Sequence, residues 1–109
     1  MLFMIHATYT AEAWRTLVTK PQNRKDAING LVEKAGGRLH ELYFTLGDND
    51  IVFIFEAPDA LTAAAVSVAG NAAGHIKSIQ TTQLLTAEES LELMRRAGEL
   101  GPAPAPQSG

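Results

Sequence analysis

One titratable side chain sits inside an otherwise apolar run: His6, within Leu2-Phe-Met-Ile-His-Ala7. Imidazole changes charge near neutral pH and can serve as acid, base or metal ligand. The commoner use of such a position is a buried histidine satisfied by one hydrogen bond. Tyr43 is the second candidate; its hydroxyl can orient a ligand, although tyrosines are also frequent at subunit interfaces. Glu41 and Glu56 could form a carboxylate pair in which repulsion raises one pKa. Strand-end glutamates are more often solvated, or paired with arginine across a subunit boundary. His6, Tyr43 and Glu41 are therefore the candidate ligand-binding residues, with His6 the candidate acid–base group.

The remaining chemistry-bearing residues have simpler duties. Asp48 and Asp50 flank a turn and Asp59 starts a helix, which accounts for all three through the backbone. His6, His40 and His75 share no close ligand spacing, so no metal site is expected. Gly70-Asn-Ala-Ala-Gly74 follows a helix, whereas a phosphate loop opens one. No nucleophile elbow is present. Zero cysteines exclude disulfides and thiolate chemistry. Nothing in the chain calls for a cofactor.

These side chains must be positioned by a small domain. The 109 residues make one domain, and 46% hydrophobic residues are enough for a packed core. A net charge of −3, with basic residues scattered, argues against a nucleic-acid partner. The opening Met1-Leu-Phe-Met-Ile-His6 lacks a basic segment and is too short for a signal core. No apolar run approaches the roughly 18 residues of a spanning helix. A soluble, cytoplasmic protein without membrane contact is the expectation.

Residues 2–9 read as a strand. Thr10 caps a helix over residues 11–18, with Glu12 in its first turn. Pro21 suits a first helical position, so a second helix is expected over residues 21–35, stopped by Gly36-Gly37. Strands follow over residues 38–46 and 50–56, around Gly47-Asp48-Asn49. If Asp48-Asn49 is a two-residue loop, Leu46 faces Ile51, Phe44 faces Phe53 and Leu42 faces Phe55. That loop demands positive φ at Asn49, so Asn49→Val should cost about 1–2 kcal/mol. The core face would then hold these six residues, and the mixed face Glu41, Tyr43, Thr45, Val52, Ile54 and Glu56. His6 and Thr8 belong to the mixed side. An alanine-rich helix over residues 58–73 offers Leu61, Ala65, Val68 and Ala72 as its apolar stripe, with Gly74 as its stop. Residues 76–85 have strand character, and Thr86-Ala-Glu-Glu89 is a capping box for a last helix. The domain is expected over residues 1–98, and residues 99–109, rich in proline and alanine, form a flexible tail.

The order β-α-β-β-α-β plus a terminal helix is the α+β, ferredoxin-like pattern, an antiparallel sheet with an extra C-terminal helix. The residues Tyr43-x-Thr-Leu-Gly-Asp-Asn-Asp50, the apolar strand after them, Glu56-Ala-Pro-Asp59, the Gly36-Gly37 stop and Pro21-Gln-Asn-Arg24 resemble a GYD-domain protein. The resemblance runs from about residue 3 to 90. Asn49 stands where the family usually has tyrosine. It implies pairing into a dimeric α+β barrel, with a second copy of this chain as partner. Both faces of Ile51-Val-Phe-Ile-Phe55 are apolar while the helices suffice for one, which leads to the same expectation of a homodimer or an assembly of dimers. Two functions fit: a non-catalytic homo-oligomeric domain that binds a small molecule or acts as a scaffold, or a cofactor-independent enzyme acting on a small apolar molecule.

Overall fold

The computed structural model describes residues 1–106. Strand β1 (Leu2–Tyr9) leads into α1 (Ala11–Thr19) and α2 (Arg24–Lys34); β2 (Arg38–Phe44) and β3 (Ile51–Glu56) form a hairpin. Then come α3 (Ala60–Ala72), β4 (Ile76–Leu84) and α4 (Ala87–Leu100). The four strands lie in the order β2-β3-β1-β4, and every neighbouring pair is antiparallel. This is the ferredoxin-like α+β arrangement, with α4 as the extra C-terminal element.

Alternation in β1 sets the two faces of the sheet. Phe3, Ile5, Ala7 and Tyr9 are buried, while Leu2, Met4, His6 and Thr8 between them are only half-buried. The buried face joins Ile51, Phe53 and Phe55 of β3 to Ala13 of α1, Val32 of α2, and Ala63 and Val66 of α3. Burying the phenylalanine, isoleucine and valine side chains stabilises by about 1.5–3 kcal/mol each, so this single layer supplies most of the driving force.

The helix ends follow local chemistry. Thr10 accepts from Ala13 N–H at 3.0 Å, and Asp59 accepts from Thr62 N–H at 2.8 Å. Thr86 and Glu89 form the reciprocal capping box, at 3.1 and 3.0 Å. Gly36 and Gly74 take left-handed φ of 79° and 83°, where glycine avoids the Cβ clash. The second helix starts later than its proline suggested. Asn23 is the cap, accepting from Lys25 N–H at 2.9 Å, so Pro21 belongs to the connection.

Two other expectations are corrected. The hairpin loop is longer than two residues: Phe44 pairs with Ile51, Tyr43 with Val52 and Leu42 with Phe53, a shift of two positions. Leu46 lies in the loop, fully exposed. Because the shift is even, Leu42 and Phe44 keep the face assigned to them. The loop is held by Thr45 N–H to Asp50 O at 2.8 Å and Thr45 Oγ1 to Asn49 O at 2.6 Å. No non-glycine residue among those described has positive φ, so Asn49 makes no such demand and the cost assigned to its valine variant disappears. In α3 the buried stripe is Ala63, Val66 and Ser67, whereas Leu61 and Val68 point outward. Small residues let this helix approach the sheet, and Ser67 Oγ meets Thr81 Oγ1 of β4 across the contact.

Helix α4 buries no residue. Leu91, Leu93, Met94 and Leu100 are all exposed. The radius of gyration, 17.9 Å, exceeds the roughly 13 Å expected of a compact chain of this length. Residues 101–106 continue without regular structure and are exposed; the rest of the expected tail, residues 107–109, lies outside the described residues.

Candidate functional site

The helix-free face of the sheet holds all three residues singled out from the sequence. His6 faces Val52 on β3 and Gln80 on β4, and Val52 faces Tyr43 on β2. The next row along the strands is Glu41, Ile54, Met4 and Thr82. His6 thus belongs to the open side and not to the helix-packed core. It lines an open depression of ≈ 310 Å³ with Val52, Thr45, Leu46, Asp48 and Asn49 of the hairpin. Tyr43 and Glu41 do not line it, and both are exposed, Tyr43 to 58%. The register brings the three onto one surface, but within one chain it does not converge them on a common point.

Glu56 closes the same face at its far end and is engaged by two basic side chains. His40 Nε2 lies 2.9 Å from its carboxylate, and Arg38 Nε lies 3.9 Å away. The His40 contact first, then the charges of His40, Arg38 and the chain's amino terminus, hold the Glu56 carboxyl below its ordinary range. This is the reverse of the raised pKa a Glu41–Glu56 pair would show. The irregular pairing between Leu39 and Glu41 is what leaves His40 free to turn toward Glu56.

Asp50 has a larger duty than flanking a turn. One oxygen of its carboxylate accepts from Tyr9 N–H at 2.9 Å and from the Trp14 indole N–H at 3.2 Å. Trp14 packs edge-on against Tyr9 and Phe44, with ring centroids 5.5 and 6.0 Å apart. The end of β1, α1 and the hairpin are thereby locked together. Among the described residues no group of three His, Asp or Glu could hold a metal ion.

The helix side contains a second feature, with residues that sequence reasoning passed over. Between the sheet, α2 and α3 lies a cleft of ≈ 190 Å³ floored by Ile51 and Phe53 and walled by Ile28 and Ala73. Arg24, Tyr9 and His75 stand at one end of it and also line an adjoining cleft of ≈ 170 Å³. Arg24 Nη1 donates to Gln22 Oε1 at 3.1 Å, while its Nε is buried without a partner. The only hint in the sequence was the position of Arg24 at the start of a helix, where an arginine ordinarily reads as solvated.

Among the described residues no helix is long and apolar enough to cross a membrane. The GYD domain family model matches residues 3–94. No curated protein matches the chain in sequence. In structure the chain is similar to MtbAldR, at 15% identity and a TM-score of 0.56, over 78% of this chain and 52% of that one. The chain thus spans about half the length of that protein, and the likeness is one of fold. A NIPSNAP domain protein from Burkholderia xenovorans also aligns, at 15% identity and a TM-score of 0.46, over 80% of this chain and 95% of that one.

Proposed function

The chain belongs to the GYD-domain family, and we propose that it acts as a homodimeric, non-catalytic small-molecule-binding domain whose helix-free sheet faces pair. The observation that carries this reading is the uncovered apolar row Leu2, Met4, Val52 and Ile54, on a face to which no helix contributes a buried residue. The accessible surface supports it. The chain exposes 7809 Å², about 1,900 Å² more than a compact monomer of its mass. Part of that excess belongs to the terminal tail, but what is left is comparable to the roughly 800 Å² each partner contributes to a stable interface. The apolar side of α4, with Leu91 and Met94, supplies further surface for the partner to cover.

Pairing would place His6, Tyr43 and Glu41 of one copy opposite the same face of the other. A small, largely apolar molecule with one or two polar groups fits such a shared space. The test is light scattering at about 10 µM, where a 1 µM dimer would already be mostly assembled. A dimer is expected, and Met4→Arg, flanked by Ile54 and Thr82 with no acid directly opposite, should dissociate it because two unpaired cations would be buried in its interface. A wild-type monomer at that concentration overturns the reading.

A further inference from the structure

We infer that the cleft between the sheet, α2 and α3 is a binding site for a small monocarboxylic acid with an aromatic or branched aliphatic body. This rests on the small-molecule-binding reading above, but it places the ligand inside a single protomer, away from the pairing face.

Three observations lead to it. The walls are apolar, with Ile51 and Phe53 beneath and Ile28 and Ala73 at the sides. Its volume is ≈ 190 Å³; an apolar cavity of roughly 150 Å³ admits benzene, so this one holds a six-membered ring with a small substituent. The third observation fixes what that substituent is. Arg24 reaches the cleft with a buried Nε that has no partner among the described residues, where its side chain makes a single hydrogen bond, from Nη1 to Gln22. A buried donor on a cation is costly to leave unmatched, and a planar carboxylate is the acceptor whose two oxygens suit a guanidinium. The acidic groups of the chain do not fill this role: Glu and Asp residues are missing from the lining of both adjoining clefts. His75 and Tyr9 flank Arg24 at the same end and add polar atoms beside it, leaving the apolar end for the body of the ligand.

Benzoate is the probe. Titration into the full-length protein, followed by methyl NMR of Ile28 and Ile51, should show saturable shifts with a dissociation constant on the order of 1 mM, reasonable for a ligand of this size. Benzyl alcohol, of the same shape without charge, should bind at least about tenfold more weakly, and Arg24→Gln should weaken benzoate by a similar factor. Arg24→Gln changes one half-exposed side chain, and its circular dichroism and melting point report whether it folds. Ala73→Leu, which fills the cleft, should abolish the shifts while leaving Arg24 in place. Absence of shifts at about 10 mM benzoate, equal binding of benzyl alcohol, or full retention of benzoate binding in folded Arg24→Gln each overturns the assignment. Light scattering separates the two proposals: a dimer that ignores benzoate refutes the cleft alone, and a monomer that binds it refutes pairing alone.

Discussion

Replacing Asp50 tests how this small domain joins its sheet to its first helix. In Asp50→Ala the Tyr9 N–H and the Trp14 indole N–H both lose their acceptor. Tyr9 is buried and Trp14 half-buried, so water replaces the lost oxygen imperfectly. A hydrogen bond to a charged group contributes about 1.5–3 kcal/mol. The 3.2 Å indole contact is longer than the 2.9 Å backbone one and belongs at the low end. Asp50 is itself half-buried, which screens its charge. The sum comes to about 2–4 kcal/mol, or a fall in Tm of about 10–15 °C for a domain of this length. Asp50→Asn keeps an acceptor oxygen and should lose about half as much. Urea unfolding followed by the fluorescence of Trp14, the sole tryptophan, measures both stability and the indole environment. A double-mutant cycle with Trp14→Phe, followed by far-ultraviolet circular dichroism because that variant has no tryptophan, should give a coupling of about 1 kcal/mol. A loss below about 0.5 kcal/mol for Asp50→Ala, or strict additivity with Trp14→Phe, would refute the claim that this carboxylate ties the elements together.

Two further outcomes follow from close contacts. A Cβ on Gly37 would fall 2.0 Å from the backbone oxygen of Glu56, so Gly37→Ala should cost about 3 kcal/mol, at the top of the usual overpacking range, whereas a loss under 1 kcal/mol in denaturant titration would mean β2 and β3 are further apart here. Glu56 has its pKa lowered by His40, Arg38 and the amino terminus. Its contribution is therefore fully present above the unfolded value near 4.5 and is lost as pH falls through the lower folded value. Urea midpoints of wild type and Glu56→Gln should differ at pH 6 and converge toward pH 3; a gap that stays constant with pH would show that no linked proton is involved.

The sequence carried the fold wherever a local rule had one answer. The capping box of Thr86 and Glu89, the left-handed stops at Gly36 and Gly74, and the common side of His6 and Thr8 in β1 were legible because each depends on residues a few positions apart. The polarity of that pair put His6 on the open face. Register was less legible for a specific reason. Alternation has period 2, so Phe44 serves the core equally well opposite Ile51 or Phe53, and only the length of the loop decides between them. The phase of α3 failed for want of contrast: with alanine at so many positions, Leu61 and Val68 look like the stripe although Ala63 and Val66 pack against the sheet.

The residues of the sites were legible in proportion to how local their surroundings are. His6 could be noticed because one polar residue interrupts an apolar strand. The duty of Asp50 required knowing that Trp14, 36 positions earlier, returns to the hairpin. Arg24 is the extreme case. Its type and place at the start of α2 describe an ordinary solvated arginine, whereas the folded chain leaves its Nε buried without a partner among the described residues and its side chain on the lining of the cleft. One arginine on the rim of an apolar cleft leaves no pattern along the chain, since most of the lining consists of the isoleucines and alanines that build any core. A packing defect would bind benzoate and benzyl alcohol alike, whereas a carboxylate site at Arg24 discriminates between them and loses that discrimination in Arg24→Gln.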